Sequence, residues 1–260
     1  IKPYAFYNTK VKGTPRFPTS LTQIGMFAFK GTGITGNLDF TYVEEIGESA
    51  FEGTGISGAL VLTNMKQIGA AAFKDTGVSG DLLIYPFLTK IDGFAFYNTE
   101  ISGSLTIPST VTIGDYAFAN CPGITENIKI EGTSSRPKIG LNAFEGLSFK
   151  TLDVSKITIA SKAFMGATIT TVNIEDSIVD TNAFLNAKID DLSIKGPQEE
   201  YTNAVNAYGF ENCQINSILL TDVNLASNAF RELSKETKPT LTFDHDILNN
   251  PDGDYYVIGS

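Results

Sequence analysis

A phenylalanine recurs along the whole chain at intervals of 20 to 26 residues, usually as the second residue of an Ala-Phe pair. Five residues before each of these phenylalanines stands an Ile, Val or Leu. A register kept throughout a 260-residue chain predicts a repeat protein in which each unit packs only on its neighbours. The recurring residues are Phe6, Phe29, Phe51, Phe73, Phe96, Phe118, Phe144, Phe164, Phe184, Phe210 and Phe230.

Between successive phenylalanines lies a short stretch that alternates apolar and polar residues, as in Leu60/Leu62, Leu105/Ile107 and Leu241/Phe243. A period of two with one apolar face predicts a half-buried strand. One strand per repeat, always in the same register, predicts a solenoid whose strands stack into a parallel sheet about 4.8 Å apart. We expect the Ile-Gly-x-x-Ala-Phe stretch to form a short helical turn on the other side, with its Phe pointing inward to build a spine.

Two segments, Gly31–Gly36 (GTGITG) and Gly53–Gly58 (GTGISG), match the G-x-G-x-x-G dinucleotide fingerprint. That fingerprint requires a strand, a loop and a true helix within a unit of about 30 residues. The units here are too short, and the match recurs with the repeat. We therefore interpret Ile34 and Ile56 as core positions between turn glycines, and we predict no nucleotide or other cofactor.

Charge and hydropathy exclude several classes of partner. A net charge of −10 and a pI near 4.6, with Lys and Arg scattered singly, disfavour nucleic acid and anionic membrane surfaces. No apolar run approaches the roughly 18 residues that a membrane-spanning helix needs. The first residues carry no initiator Met and begin inside a repeat, so we expect the chain to be a trimmed or processed piece.

Residues 101–121 (ISGSLTIPSTVTIGDYAFANC) carry a resemblance to a known family. Their pattern of Leu, Ile, Pro, Val, Ile-Gly, Ala-Phe and Cys resembles the BspA-like leucine-rich repeats of bacterial surface proteins. The likeness covers about residues 1–235, or about eleven coils of 20 to 26 residues, and we expect 236–260 to form a C-terminal cap that protects the last strand edge. Some coils depart from the pattern where Gly is usual, at Ala160, Asp180, Asn206 and Ala226.

The resemblance implies a β-rich repeat solenoid of the leucine-rich-repeat type, with stacked parallel strands on one face and short helical turns and irregular segments on the other. It also implies a non-enzymatic protein, displayed on a bacterial cell surface or secreted, that adheres to a protein partner. The absence of any N-x-S/T sequon suits a bacterial surface protein. Two alternatives stay open: a solenoid that binds or processes glycans, and a passive surface spacer.

The two cysteines, Cys121 and Cys213, each stand three residues after their Phe, in a slot that other coils fill with small or apolar residues. Four coils separate them, which places them about 19 Å apart, beyond the reach of a disulfide at about 7 Å between Cα atoms. We predict two buried free thiols. The lone histidine, His245, cannot be placed beside either one.

Two acidic features invite a catalytic or metal-binding interpretation. The segments 244–246 (Asp-His-Asp) and 252–254 (Asp-Gly-Asp) lack zinc-ligand and EF-hand spacing, so we predict a polar closing turn and no metal site.

Glu131 and Glu175 fall on equivalent positions two strands apart. Their separation is about 10 Å, slightly wider than the distance between the two carboxylates of inverting glycosidases. We interpret both carboxylates as solvated surface charge.

Binding is predicted on the open face of the sheet, where the residue between the two core positions of each strand points outward. Val61, Leu83 and the flanking Tyr85 place apolar groups together there, and such a patch usually marks a partner site. Lys129 and Asp153 lie on the same row. Two insertions, 131–140 and 195–206, follow strands and emerge from one edge, and they contribute the further candidates Arg136 and Tyr201.

Overall fold

The computed structural model describes residues 1–196, 204–234 and 238–244. The chain winds into a parallel β-solenoid of about 10 turns, which confirms the predicted architecture. The strands are β1 (Lys12–Gly13), β2 (Gln23–Ile24), β3 (Gly33–Gly36), β4 (Glu45–Ile46), β5 (Gly55–Gly58), β6 (Gln67–Ile68), β7 (Gly77–Asp81), β8 (Lys90–Ile91), β9 (Glu100–Ser102), β10 (Leu105–Ile107), β11 (Thr112–Ile113), β12 (Asn127–Glu131), β13 (Lys138–Ile139), β14 (Ser148–Ser155), β15 (Thr158–Ile159), β16 (Thr168–Glu175), β17 (Ile178–Val179), β18 (Lys188–Lys195), β19 (Gln214–Thr221) and β20 (Thr240–Asp244).

These strands form three sheets, and each strand pairs in parallel with the equivalent strand of the adjacent coil. One sheet has the order β1-β3-β5-β7-β9, a second has the order β10-β12-β14-β16-β18-β19-β20, and a third runs β17-β15-β13-β11-β8-β6-β4-β2. The third sheet is built from the apolar residue five positions before each Phe, with Ile24 opposite Ile46 and Ile46 opposite Ile68. The regular spacing in sequence therefore becomes a regular register in space.

The predicted phenylalanine spine runs through the centre of the stack. Each recurring Phe stacks face to face on the next, with ring centroids 4.7 to 5.7 Å apart and interplanar angles of 2 to 14°. The rings from Phe51 to Phe210 are fully buried. Because every ring touches the ring above and the ring below, a coil buries its core only against its neighbours.

Around each spine Phe the backbone forms tight turns, and the predicted helical turn is wrong: the described residues contain no helix. The residues two before and two after Phe118, Tyr116 (φ 57°) and Asn120 (φ 58°), are left-handed, and every spine Phe is flanked in this way. Left-handed residues at this spacing break a right-handed helix. The backbone around each spine Phe instead forms hydrogen bonds to the next coil, as when Phe118 N donates to Ala143 O at 2.9 Å.

The first coils contain two short extended segments where later coils contain one long strand. The segments predicted as strands, such as Leu60/Leu62, follow the hydrogen-bonded strand β5 and join a neighbour only through the isolated bridge Val61–Leu83. Gly58 (φ 87°) turns the chain between the two segments. Strand β16 has no such residue and continues for eight residues. The predicted alternation of burial still holds, because Leu60 and Leu62 are buried.

The core predicted from the alternating positions is confirmed with few exceptions. Ile84 and Leu241 are only partly buried against the core. Phe243, predicted to point inward, is 47% exposed, and that assignment is wrong. Its strand, β20, pairs with β19 on one side only, so no second described strand covers the ring.

Candidate functional site

The outward residues of neighbouring coils form a row along the strand face that is in register from Thr106 to Thr242. In register, Thr106 stands opposite Lys129, Lys129 opposite Asp153, and Asp153 opposite Asn173. The core residues on either side of each of these positions point inward and anchor the strand. The row is therefore a straight, regular display of side chains at the spacing of the strands.

The structure brings the apolar residues of the predicted patch together at outward strand positions. Val61 and Leu83 face each other across a parallel bridge, with 49% and 59% of their surfaces exposed. Tyr85 is half-buried beside them. Side chains of this type are normally drawn inward, so two adjacent exposed ones form the kind of surface that a partner covers.

Phe87 belongs to the same coil as Leu83 and was not among the predicted site residues. Its side chain is 63% exposed, more than any other large apolar side chain recorded as exposed in the described part of the chain. The sequence did contain a signal. The interval from Phe73 to Phe96 is 23 residues, and the connection between Ile84 and the next core residue, Leu88, is one residue longer than in the preceding coil. A longer connection leaves Phe87 outside the core register.

Lys129 and Asp153, two predicted site residues, occupy adjacent places on the row but are engaged by their surroundings. The ammonium of Lys129 lies 2.7 Å from a Glu131 carboxylate oxygen, and this hydrogen bond raises the pKa of Lys129. Asp153 accepts a hydrogen bond of 2.6 Å from Asn173. Neither group is an isolated charge, so a ligand would have to compete with these contacts.

The acidic pair Glu131 and Glu175 stands in the predicted register, with Ser155 between them. Each carboxylate is paired with a lysine: Glu131 with Lys129, and Glu175 with Lys195 at 2.8 Å. A glycosidase acid requires a carboxyl group held in apolar surroundings. These two side chains are exposed and ion-paired, which favours the interpretation as surface charge.

The first insertion, residues 131–140, folds back on the solenoid. Arg136 sits in its turn, with φ 47°, and one guanidinium nitrogen lies 2.8 Å from Asp176 Oδ1. The Arg136 side chain is mostly buried, so this candidate ties the insertion to a coil two turns further along the stack. Tyr201, the candidate of the second insertion, lies outside the described residues, as does His245.

Both cysteines are buried and free, as predicted. Cys121 Sγ donates to Phe96 O at 3.0 Å, and Cys213 Sγ donates to Phe184 O at 2.8 Å. Burial raises the pKa of Cys121, and burial raises the pKa of Cys213 to about 12. A nucleophilic cysteine needs a lowered pKa and access to solvent, so these thiols serve packing.

Two further findings concern the described residues alone. Within ranges 1–196, 204–234 and 238–244, no three His, Cys, Asp or Glu side chains gather as they would around a metal ion. In the same ranges, no helix has the length and apolar character to cross a membrane.

The stacked coils and the regular outward row define a repeat solenoid with a display surface. The chain belongs to the BspA type leucine-rich repeat family, whose model matches it in 6 copies over residues 1–125 and 112–237. Proteins of this repeat class generally mediate protein interactions and are typically non-catalytic, and the BspA-like family is associated with bacterial surface proteins. Neither the curated proteins nor the solved structures contain a match to this chain.

Proposed function

We propose that this chain is a non-enzymatic module of a bacterial cell-surface or secreted protein that adheres to a protein partner through its strand face. The observation that carries the proposal is the pair Val61 and Leu83, adjacent in register and about half exposed. The association of the family with surface proteins and protein interactions supports the class of function, and the exposed pair supports the strand face as the site.

The free energy gained by covering this patch suits the centre of a protein–protein contact. Covering an exposed Leu or Val side chain contributes about 1 to 2 kcal/mol each from the apolar surface removed from water. Phe87, if the partner reaches it, adds a rigid aromatic group, the type of residue that dominates binding energy in interfaces. The stacked coils beneath hold these side chains in place, so little entropy is lost when a partner docks.

The experiment is binding of the purified chain to an array of extracellular-matrix and serum proteins and, in parallel, to an array of glycans. The test variant is Leu83→Asp/Tyr85→Ala, which places a charge at the centre of the patch. The matched control is Leu219→Asp, because Leu219 holds the same outward strand position in a distant coil and is 37% exposed.

We expect at least one protein to bind the unchanged chain and the control, and to lose at least tenfold in affinity for the test variant. Protein binding that the test variant retains would place the site elsewhere and contradict the proposal. Silence on the protein array would favour the spacer, and a glycan hit abolished by the test variant would favour a glycan-binding strand face.

A further inference from the structure

On the turn side of the solenoid, away from the strand face, a shallow groove of about 430 Å³ crosses three coils. Its walls mix aromatic, amide and carboxylate groups. The lining side chains that matter here are Tyr97, Tyr116, Ala119, Asn120 and Glu145, with Gly146 at one end.

The groove exists because one repeat position changes size along the stack. Tyr97, Ala119 and Glu145 each directly follow the spine Phe of successive coils. Ala119 contributes only a methyl group between two larger side chains. Since the coils repeat at about 4.8 Å, Tyr97 and Glu145 stand about 10 Å apart, and the small Ala119, only 3% exposed, lies between them.

The aromatic wall is held in place by neighbouring rings. Phe94 and Tyr116 stack with centroids 4.8 Å apart, and Tyr97 leans against Phe94 at 5.6 Å. The ammonium of Lys74 lies 5.9 Å from the centre of the Tyr97 ring. These contacts fix the orientation of the wall, so a ligand meets a preformed apolar surface.

The polar wall offers acceptors. A ladder of side chains runs along the coils, in which Asn98 donates to Asp75 at 2.8 Å and Asn120 donates to Asn98 at 2.6 Å. The next coil carries Gly146 at this position, so the ladder ends in the groove and no described residue donates to Asn120 Oδ1. Glu145 accepts one hydrogen bond, from Asn142 to Oε2, and no described residue donates to its Oε1.

This combination selects a chemical class of ligand. Accepting oxygens call for a ligand rich in O–H donors, and the tyrosine wall calls for one with an apolar face. Glu145 repels anions, and no Lys or Arg lines the groove. A cation is disfavoured because the Tyr97 ring already carries the Lys74 ammonium. A neutral sugar has hydroxyl donors at its edge, an apolar C–H face and no charge.

We propose that this turn-side groove binds a neutral saccharide, with Tyr97 and Tyr116 against its apolar face and Asn120 and Glu145 accepting from its hydroxyls. The site shares no residue with the strand-face patch, so the inference stands or falls independently of the proposed protein partner.

The test is an array of neutral and acidic oligosaccharides probed with the purified chain, followed by calorimetric titration of each glycan that binds. One variant is Tyr97→Ala, with Tyr7→Ala as its control, because Tyr7 has the same repeat position in the first coil. The second is Gly146→Asn, which supplies a donor for Asn120 Oδ1 and fills the groove.

Gly146→Asn is expected to fold, because Asn already holds this left-handed position in other coils, as Asn98 and Asn120 do, and a Cβ at Gly146 meets no atom within 4 Å. Gly166→Asn is its matched control, since Gly166 has the same position and the same open space one coil further on.

We expect a neutral glycan to bind, and Tyr97→Ala and Gly146→Asn each to weaken that binding at least tenfold while both controls stay within twofold. The inference is overturned if no neutral glycan binds, if acidic glycans bind better, or if the two groove variants bind as well as their controls.

Discussion

The early coils (residues 1–107) and the late coils (residues 138–196 and 204–234) build the same solenoid from different coil lengths. Early coils use 22 or 23 residues and break each strand at a glycine with positive φ, namely Gly13, Gly36, Gly58, Gly80 and Gly103. Late coils use 20 residues, or 26 where the second insertion lies, lack that glycine, and run strands β14, β16, β18 and β19 unbroken for eight residues. The spine and the sheet of residues five before each Phe are the same in both.

The features that early and late coils share are the parts of the repeat that the solenoid requires. The stacked Phe and the apolar residue five before it set the coil, and the rest of the coil can lose two residues, one before the alternating residues and one after them, without changing either. Leu83 points outward in an early coil as Leu219 does in a late one, but the longer connection after Ile84 adds the exposed Phe87 beside it. The early coils therefore carry the larger group of exposed apolar side chains.

The largest expected effect tests whether both regions share one spine. Phe73→Ala in an early coil and Phe164→Ala in a late coil should each lower the free energy of unfolding by about 3 to 5 kcal/mol, because both remove a fully buried ring. Urea unfolding measures both values. Phe87→Ala is the control and should cost less than about 0.5 kcal/mol. A large loss in only one of the two regions would show that they fold on separate cores.

The next effect concerns the close approach of coils before the spine Phe. A Cβ at Gly47 would lie 2.5 Å from the backbone nitrogen of Met26, so Gly47→Ala should lower the free energy of unfolding by about 1 to 3 kcal/mol. The late coils already carry Ala160 at this position. Ala160→Gly should cost about 1 kcal/mol or less, through chain entropy alone. Urea unfolding measures both variants. If Gly47→Ala lowers the free energy of unfolding no more than Ala160→Gly does, the coils do not approach more closely at Gly47 than at Ala160.

A smaller effect isolates the strand break. At Gly80 (φ 77°) the nearest atom to an added Cβ is Ala59 Cβ at 3.5 Å, an ordinary contact. Gly80→Ala should therefore cost only the left-handed backbone penalty, about 1 to 2 kcal/mol. Gly80→Asn should cost less, because Asn tolerates this conformation. Thermal unfolding of the two variants should show this order, and the reverse order would argue against backbone strain as the cause.

The smallest effect is a dependence on pH that arises from Glu52 in an early coil. Burial of Glu52 opposes its ionisation, but hydrogen bonds from Lys30 and Ser49 outweigh burial and hold the pKa of Glu52 below the ordinary value of 4.5. A lowered pKa stabilises the fold above pH 4.5, and that contribution disappears as pH falls through the folded value. Two of the equivalent late positions, Met165 and Leu185, carry no charge.

Glu52→Gln should therefore lower the free energy of unfolding by about 0.5 to 1 kcal/mol at pH 7 and by less at pH 3. Urea unfolding at the two pH values measures the difference. Met165→Gln serves as the late-coil control, and its effect should not vary with pH. A pH-independent loss at Glu52 would contradict the ion-pair explanation.

Much of the fold was predictable because the repeat is periodic. The Phe spine, the parallel stack, the register of Glu131 with Glu175, and the buried free Cys121 and Cys213 follow from counting positions between repeats. The strand location in the early coils did not follow, because one extra glycine moves the hydrogen-bonded strand ahead of the alternating residues. The predicted helical turn was wrong because hydrogen bonds between coils outcompete local ones around each Phe. The sequence pattern of a single repeat does not reveal these bonds to the next coil.

The candidate site was predictable only where it lies on the regular row. Val61 and Leu83 fall at counted positions, so their proximity could be foreseen. The exposure of Phe87 depends on a one-residue excess in its coil. The turn-side groove depends on two small residues, Ala119 and Gly146, falling side by side in space although 27 positions apart in sequence. The ion pair that holds Arg136 against Asp176 also requires the three-dimensional stack.

The most direct test of whether the early strand face carries the protein-binding site is the affinity of a partner identified on the protein array for two single variants. Surface plasmon resonance would compare Leu83→Asp in an early coil with Leu219→Asp in a late coil. We predict at least a tenfold loss for Leu83→Asp and less than a twofold change for Leu219→Asp. Equal affinities for the two variants, or a larger loss for Leu219→Asp, would contradict it.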